Sequence, residues 1–553
     1  MNKKLGLAGA ISPKGYKFRL SRKAAQLSFA PKGYKFRLSR KAAQLSFIIF
    51  LAGLGGYLAL TTKNTSKPAV APDAVVELGQ GESYELAAGF VEKEIQGGKY
   101  RMLAYNGSIP GPLIRVKQGA EVILNFRNNA DLSSTVHSHG VRLDNAFDGV
   151  PGLTQEPVAP GGSFAYRVKF PDPGMYWYHP HLREDYAQEM GLYGNYLVVP
   201  ADPDYWAPVN REIALFLDDI LLTDGKLELS RTKVDHALMG RFGNVMLING
   251  KTDYLLAARQ GEVIRLYLTN AANARPFNFA IAGLALKLVG GDGGGYERDE
   301  WRDTVLVGPS ERVIVEVFFA QPGIFALENI TPGKTIRLGA VSVAAAPVPP
   351  ARAKDFTRLK ARPAVSRSMD PLRPYLAKSP DKRLRLSLEL KGGMAAMPGM
   401  AQGGHVMPDG TSMGHTMGPS PDGIEWEDPD PEMNRGSSPE SVLWKIIDEE
   451  TGKENMAIDW RLKRGEPVVI RIFNDPASAH PMQHPIHFHG QRFLVAARDG
   501  MPEANLVWKD TVLVPTGRTV DIVLDTTNPG VWMAHCHISE HLEASMMFGF
   551  RVD

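Results

Sequence analysis

Cys536 is the only cysteine in the chain, and it sits in His535-Cys536-His537-Ile538-Ser539-Glu540-His541, with Met546 shortly after. The approach through Asn528-Pro529-Gly530 to Val531-Trp532-Met533-Ala534 reads as a turn feeding a buried strand. Side chains alternate along a strand, so Cys536 projects to one face and His535 and His537 to the other. A metal on the sulfur then lies opposite a second metal site, joined to it by one short piece of backbone. A thiolate, imidazoles and a weak axial thioether form the ligand set of a blue-copper electron-transfer site. His541 offers one imidazole, and the second comes from His484-Pro485-Ile486-His487-Phe488-His489-Gly490. Two further pairs stand upstream, His137-Ser138-His139 and His179-Pro180-His181. One His-x-His is ordinarily a satisfied polar pair beside a turn. Here ten of the fourteen histidines fall in four such clusters, one of them holding the sole cysteine, and the combination points to metal chemistry.

The elements around these clusters are short runs of Val, Ile, Leu and Phe broken by Pro-Gly and Asn-Gly turns, the pattern of all-β Greek-key barrels. Two markers occur three times. Lys117-Gln118-Gly119, Arg259-Gln260-Gly261 and Lys463-Arg464-Gly465 each lead into an apolar run, and Pro173-Gly174, Pro322-Gly323 and Pro529-Gly530 each precede an aromatic residue. The sequence thus predicts three copies of one β-domain. Aligned on the second marker, His179 and His181 correspond to Glu328 and Ile330 and then to His535 and His537. His137-Ser138-His139 is matched to Asn278-Phe279-Ala280 and then to His487-Phe488-His489. The middle copy has lost every ligand position, so the first and third copies must build a shared site at their interface.

On these four motifs the chain resembles the three-domain multicopper oxidases, the laccase and cuprous-oxidase group, over roughly residues 80–553. The resemblance implies three consecutive cupredoxin-like Greek-key barrels carrying four copper ions. It assigns His484, Cys536, His541 and Met546 to a type 1 copper, and His137 and His487 to a type 2 copper. His139, His179, His181, His489, His535 and His537 fall to a type 3 pair. It further implies one-electron oxidation of phenols, aromatic amines or Cu(I), coupled to four-electron reduction of dioxygen to water. Electrons then enter at exposed imidazole edges of His484 or His541 and pass through Cys536. Asp148 stands where the family places a proton-delivering carboxylate. Leu542 replaces an acidic residue found in some members, leaving Glu540 and Glu543 as substitutes. Asp510 is expected to orient a ligand histidine. His236 and His480 match no motif and are given no role.

The net charge of +3 conceals an asymmetry: residues 1–47 carry twelve Lys/Arg and no acid, which leaves −9 on the remainder. The main body therefore has no basic face for nucleic acid. Within the basic end, Pro13 to Phe29 recurs unchanged as Pro31 to Phe47. The apolar run Phe47 to Leu60 that follows is shorter than the ~20 residues of a spanning helix. Residues 1–70 thus read as a duplicated signal or anchor segment of an exported, periplasmic or otherwise extracytoplasmic monomer. A lone cysteine in such a protein suits a ligand better than a disulfide.

The domain markers are 149 residues apart from Gly174 to Gly323 and 207 from Gly323 to Gly530, so the third interval holds an insertion. The expected division is domain 1 at 71–203, domain 2 at 204–345, a linker and insertion at 346–435, and domain 3 at 436–553. Gly392 to Pro431 is Gly/Pro-rich, a composition that buries no core and predicts a mobile surface loop. It contains Met394, Met397, Met400, Met407, Met413 and Met417, and thioethers favour Cu(I). A copper-sequestering envelope protein with incidental oxidase activity is the alternative function. A purely structural role is excluded by the intact ligand set.

Overall fold

The structure, a computed structural model, describes residues 75–391 and 421–553. The signal or anchor segment and the run Met394 to Met417 lie outside the described residues. Strand formation follows the alternation in the sequence. In Glu121–Asn128, for example, Val122, Leu124, Phe126 and Asn128 are buried while the residues between them face outward.

Three two-sheet units follow one another, each closed over its own apolar core. A parallel pair recurs in one sheet of each: Ser83–Ile95 with Glu121–Asn128, Arg211–Ile220 with Glu262–Asn270, and Lys382–Leu390 with Val468–Asn474. The repeated Pro-Gly marker has the same backbone each time, with φ of +149° at Gly174 and Gly323 and +145° at Gly530. These are three cupredoxin-like β-domains, as the sequence predicts.

The strand Lys382–Leu390 corrects the expected division. It lies inside the segment assigned to linker and insertion, yet pairs with Val442–Asp448 and Val468–Asn474 in the third domain's sheet. Domain 3 thus begins before the Met-rich run, which interrupts it between two adjacent strands. The true connection contains the short helices Ala353–Thr357 and Pro363–Met369.

The second sheet of each domain carries the motifs. His137–His139 pairs antiparallel with Gly174–His179, placing His137 opposite His179. His484–Phe488 pairs with Gly530–Cys536, placing His487 opposite His535. In domain 2, Phe277–Ile281 pairs with Gly323–Ile330, and the residue opposite Glu328 is Ala280. The counterpart of His-x-His is therefore Ala280-Ile281-Ala282, two residues beyond the expected Asn278-Phe279-Ala280. Spacing from the Pro-Gly turn fixes one strand only, and pairing register fixes its neighbour. The corrected triplet still offers no ligand atom.

Candidate metal centres

Cys536 ends its strand fully buried, and Met546 is held beside it because the Cys536 N–H donates to the Met546 carbonyl at 3.0 Å. The sulfur lies 3.6 Å from Nδ1 of His484 and 3.6 Å from Nδ1 of His541, and those nitrogens are 3.2 Å apart. Such edges suit donors around one metal at bonds of about 2.0–2.3 Å. The Ile538 N–H also donates to the sulfur at 3.4 Å. Burial lowers His484 to about 3 and pushes the Cys536 thiol far up. The imidazole is thus neutral and ready to ligate, whereas the thiol must lose its proton to a metal. Met546 packs in the same core as Cys536, while the adjacent Met547 packs against Val150, Met533 and Leu542.

Across the strand the other eight histidines converge from domains 1 and 3. The Nε2 atoms of His181 and His489 are 3.3 Å apart, and those of His489 and His535 are 3.0 Å apart. His139, His179 and His537 form a second group, with ring centroids 4.9–5.7 Å apart. His137 and His487 stand between, centroids 5.8 Å apart. Burial and mutual repulsion hold nearly all of these imidazoles neutral, with His535 at about 4.

Hydrogen bonds fix which nitrogen is left for a metal. Nδ1–H of His137 donates to the Asp148 carbonyl and Nδ1–H of His487 to the Asp510 carbonyl, both at 2.8 Å. Nδ1–H of His179 donates to the Pro180 carbonyl at 2.8 Å, and that of His535 to the Cys536 carbonyl at 2.9 Å. A carbonyl only accepts, so the lone pair of each ring sits on Nε2. His139 is turned over: its Nε2–H reaches Asp510 Oδ1 at 3.0 Å, leaving Nδ1 bare. The buried ring atoms without a partner include His137 Nε2, His139 Nδ1, His179 Nε2 and His487 Nε2. Bare ring nitrogens on buried imidazoles that face one another fit bound metal.

Asp148 and Asp510 form a near two-fold arrangement. Each offers its carbonyl to a histidine of its own domain and its carboxylate across the interface, Asp148 Oδ2 to His489 Nδ1 and Asp510 Oδ1 to His139, both at 3.0 Å. Asp148 and Asp510 thus each bond histidines of both domains.

Three observations depart from expectation. His484 and His541 are fully buried, so their ring edges are not exposed. Trp444 covers both, at centroid distances of 4.7 and 4.2 Å, and Ala237, Leu238 and Met239 of domain 2 complete the same core. Glu540 accepts from Arg241 at 2.8 Å and from Asn273 at 3.1 Å, so its contacts lie in an interdomain ion pair. A further carboxylate beside the cluster is Glu184, with Oε1 3.4 Å from His181 Nδ1 and Oε2 3.8 Å from His179 Nδ1. Sequence reasoning missed it, although its place three residues after His181 on a short helix was a usable signal. His480 is buried at 5% exposure with both ring nitrogens unpartnered among the described residues, and burial lowers it to about 4.

Family profiles described as multicopper oxidase match residues 90–203, 223–347 and 427–553, together more than half of the chain. The chain belongs to the multicopper oxidase family. As a multicopper oxidase it is an oxidoreductase holding four copper ions, and it passes electrons from a reductant such as Cu(I) or a phenol to dioxygen. It is 29% identical over 480 residues to multicopper oxidase MmcO of Mycobacterium tuberculosis, spanning 80% of this chain and 82% of that one. It is 24% identical to copper resistance protein A of Escherichia coli, over 91% of this chain and 97% of the relative. Among solved structures, the Campylobacter jejuni multicopper oxidase titled a metallo-oxidase shares the fold at a TM-score of 0.63 and 22% identity, covering 88% of this chain and 96% of that one.

Proposed function

We propose that the reductant of this multicopper oxidase is Cu(I) and that its oxidation serves copper tolerance. The burial of His484 and His541 carries this reading: a bulky phenol has no imidazole edge to touch, whereas a metal ion needs only a small buried ligand nearby. His480 is such a ligand, neutral, unpartnered and close enough to His541 to influence its titration. Relatives named copper resistance protein A and the run Met394 to Met417 support it. Phenols are the second reading. A groove of about 690 Å³ lined by Asp235, Ser437 and Glu440 adjoins the domain 2 cover, since Ser437 Oγ accepts from Leu238 N–H.

We assign the type 1 copper to His484, Cys536, His541 and Met546, and the type 2 copper to His137 and His487. The type 3 pair takes His139, His179 and His537 on one side and His181, His489 and His535 on the other. When bound, the four copper ions take up electrons singly and supply four of them to one dioxygen. Cys536 gives the covalent path between centres, one peptide unit from His535 and one from His537. Asp148 holds His137 and His489 in their ligating tautomers and is placed to carry protons. We assign residues 1–70 to export, as cleaved signal or anchor, for work as a monomer outside the cytoplasm. Among the described residues no helix is long and apolar enough to cross a membrane.

The test is oxygen uptake by copper-loaded protein with Cu(I) and with a phenol, alongside the visible spectrum. A strong thiolate-to-copper band with the lower KM for Cu(I) is expected. Uptake with the phenol alone overturns the Cu(I) reading, and a blue band without uptake sinks the three-copper assignment.

A further inference from the structure

The two aspartates of the near two-fold arrangement differ in one respect. Among the described residues Asp148 has only histidines against its carboxylate, whereas Asp510 is gripped by a cation from the domain that has no ligands. Arg312 belongs to the domain 2 strand Arg312–Phe319 and is fully buried. Its Nη1 donates to Asp510 Oδ1 at 2.8 Å and its Nη2 to Oδ2, a planar two-pronged grip that a lysine does not reproduce.

The rest of the guanidinium is anchored in domain 1 and in its own domain. Nε donates to the Met175 carbonyl of domain 1 at 3.0 Å, and Nη1 also donates to the Ser310 carbonyl of domain 2 at 2.7 Å. Asp292, again of domain 2, accepts from the Arg312 N–H at 2.7 Å, and its Oδ2 lies 3.1 Å from Lys509 Nζ. The same Oδ2 accepts from the Asp510 N–H at 3.4 Å, so side chain and backbone at Asp510 are both held from domain 2. Asp510 in turn holds His139 through its carboxylate and His487 through its carbonyl, and Thr511 Oγ1 lies 3.0 Å from His139 Nε2.

We infer that Arg312 is a positioning residue for the His139 and His487 half of the cluster, acting through Asp510. On this account the middle domain is part of the catalytic apparatus although it touches no copper, and it makes the two halves of the near two-fold unequal. A buried carboxylate without a cation is costly and adopts other partners, so loss of the grip turns Asp510 and, with it, His139. The inference rests on the ligand assignment above.

The experiment compares copper-loaded wild type, R312Q, R312K and R265Q. Arg265 is another buried domain 2 arginine, paired with Glu316 and Glu212, and reports general destabilisation. Copper per chain, the blue type 1 band, the near-ultraviolet type 3 absorption and the type 2 electron-paramagnetic signal are measured. R312Q is expected to keep the blue band while type 2 and type 3 occupancy weakens about 10–100-fold, the range for lost outer partners of metal ligands. R312K recovers part of it and R265Q keeps all four ions. Full type 2 and type 3 signals in R312Q, or equal losses in R312Q and R265Q, overturn the role of Arg312. Absence of those signals in wild type instead overturns the ligand assignment beneath it.

Discussion

Four of the eight histidines of the cluster use one ring nitrogen to bond the protein and leave the other bare, and in three of them the partner is a backbone carbonyl. That arrangement divides the labour between Cys536 and the imidazoles. The sulfur contacts only the His484 and His541 rings, and the hydrogen bonds of the histidines on the opposite face do not involve it. C536S should therefore abolish the blue absorption and lower bound copper from four ions to three, with the type 3 signal retained; metal analysis and spectra check this. That these histidines gather was legible in the sequence, because each pair lies within three residues, on a strand or just past its end. Arg312 was not, because its partner is matched by folding rather than by spacing, 198 positions away at Asp510.

At the scale of elements, each ligand pair sits at the end of a strand that must turn at once. Gly140, directly after His139, has φ +80°, and a Cβ there would stand 2.2 Å from Asp510 Oδ2 and 2.8 Å from Arg312 Nη2. The turn and the Asp510 grip thus occupy the same space. G140A costs about 1–2 kcal/mol for the left-handed backbone before any clash is counted. It should lower the melting temperature by several degrees and selectively weaken type 3 copper, read by calorimetry and near-ultraviolet absorption. The sheets and their threefold repeat were legible, since both markers sit at turns whose geometry recurs. The register of the middle domain was not, because cross-strand pairing depends on both strands. Nor was the start of domain 3, because the Met-rich insertion separates Lys382–Leu390 from the strand it pairs with.

For the molecule as a whole, the metal-free protein carries many buried groups whose titration opposes folding. Ten histidines are lowered, among them His484 to about 3, His535 and His480 to about 4. Below about pH 6.5 the unfolded chain takes up protons that the folded chain refuses, so stability falls as pH falls. Burial raises Asp218, Glu540 and Glu543 to about 7, so here the folded chain holds the extra proton. Their contribution is full below the ordinary carboxylate range and lost as pH rises through 7. Denaturation midpoints of metal-free protein should thus peak near pH 6–6.5 and fall on both sides. E543Q should lessen the decline above the peak and slightly steepen the rise on its acid side.

The crossed carboxylates of Asp148 and Asp510 also bear on how long the metal stays. Each orients a histidine across the interface, so the ligand geometry proposed above is set only once domains 1 and 3 have met, and parting them should loosen the bound copper.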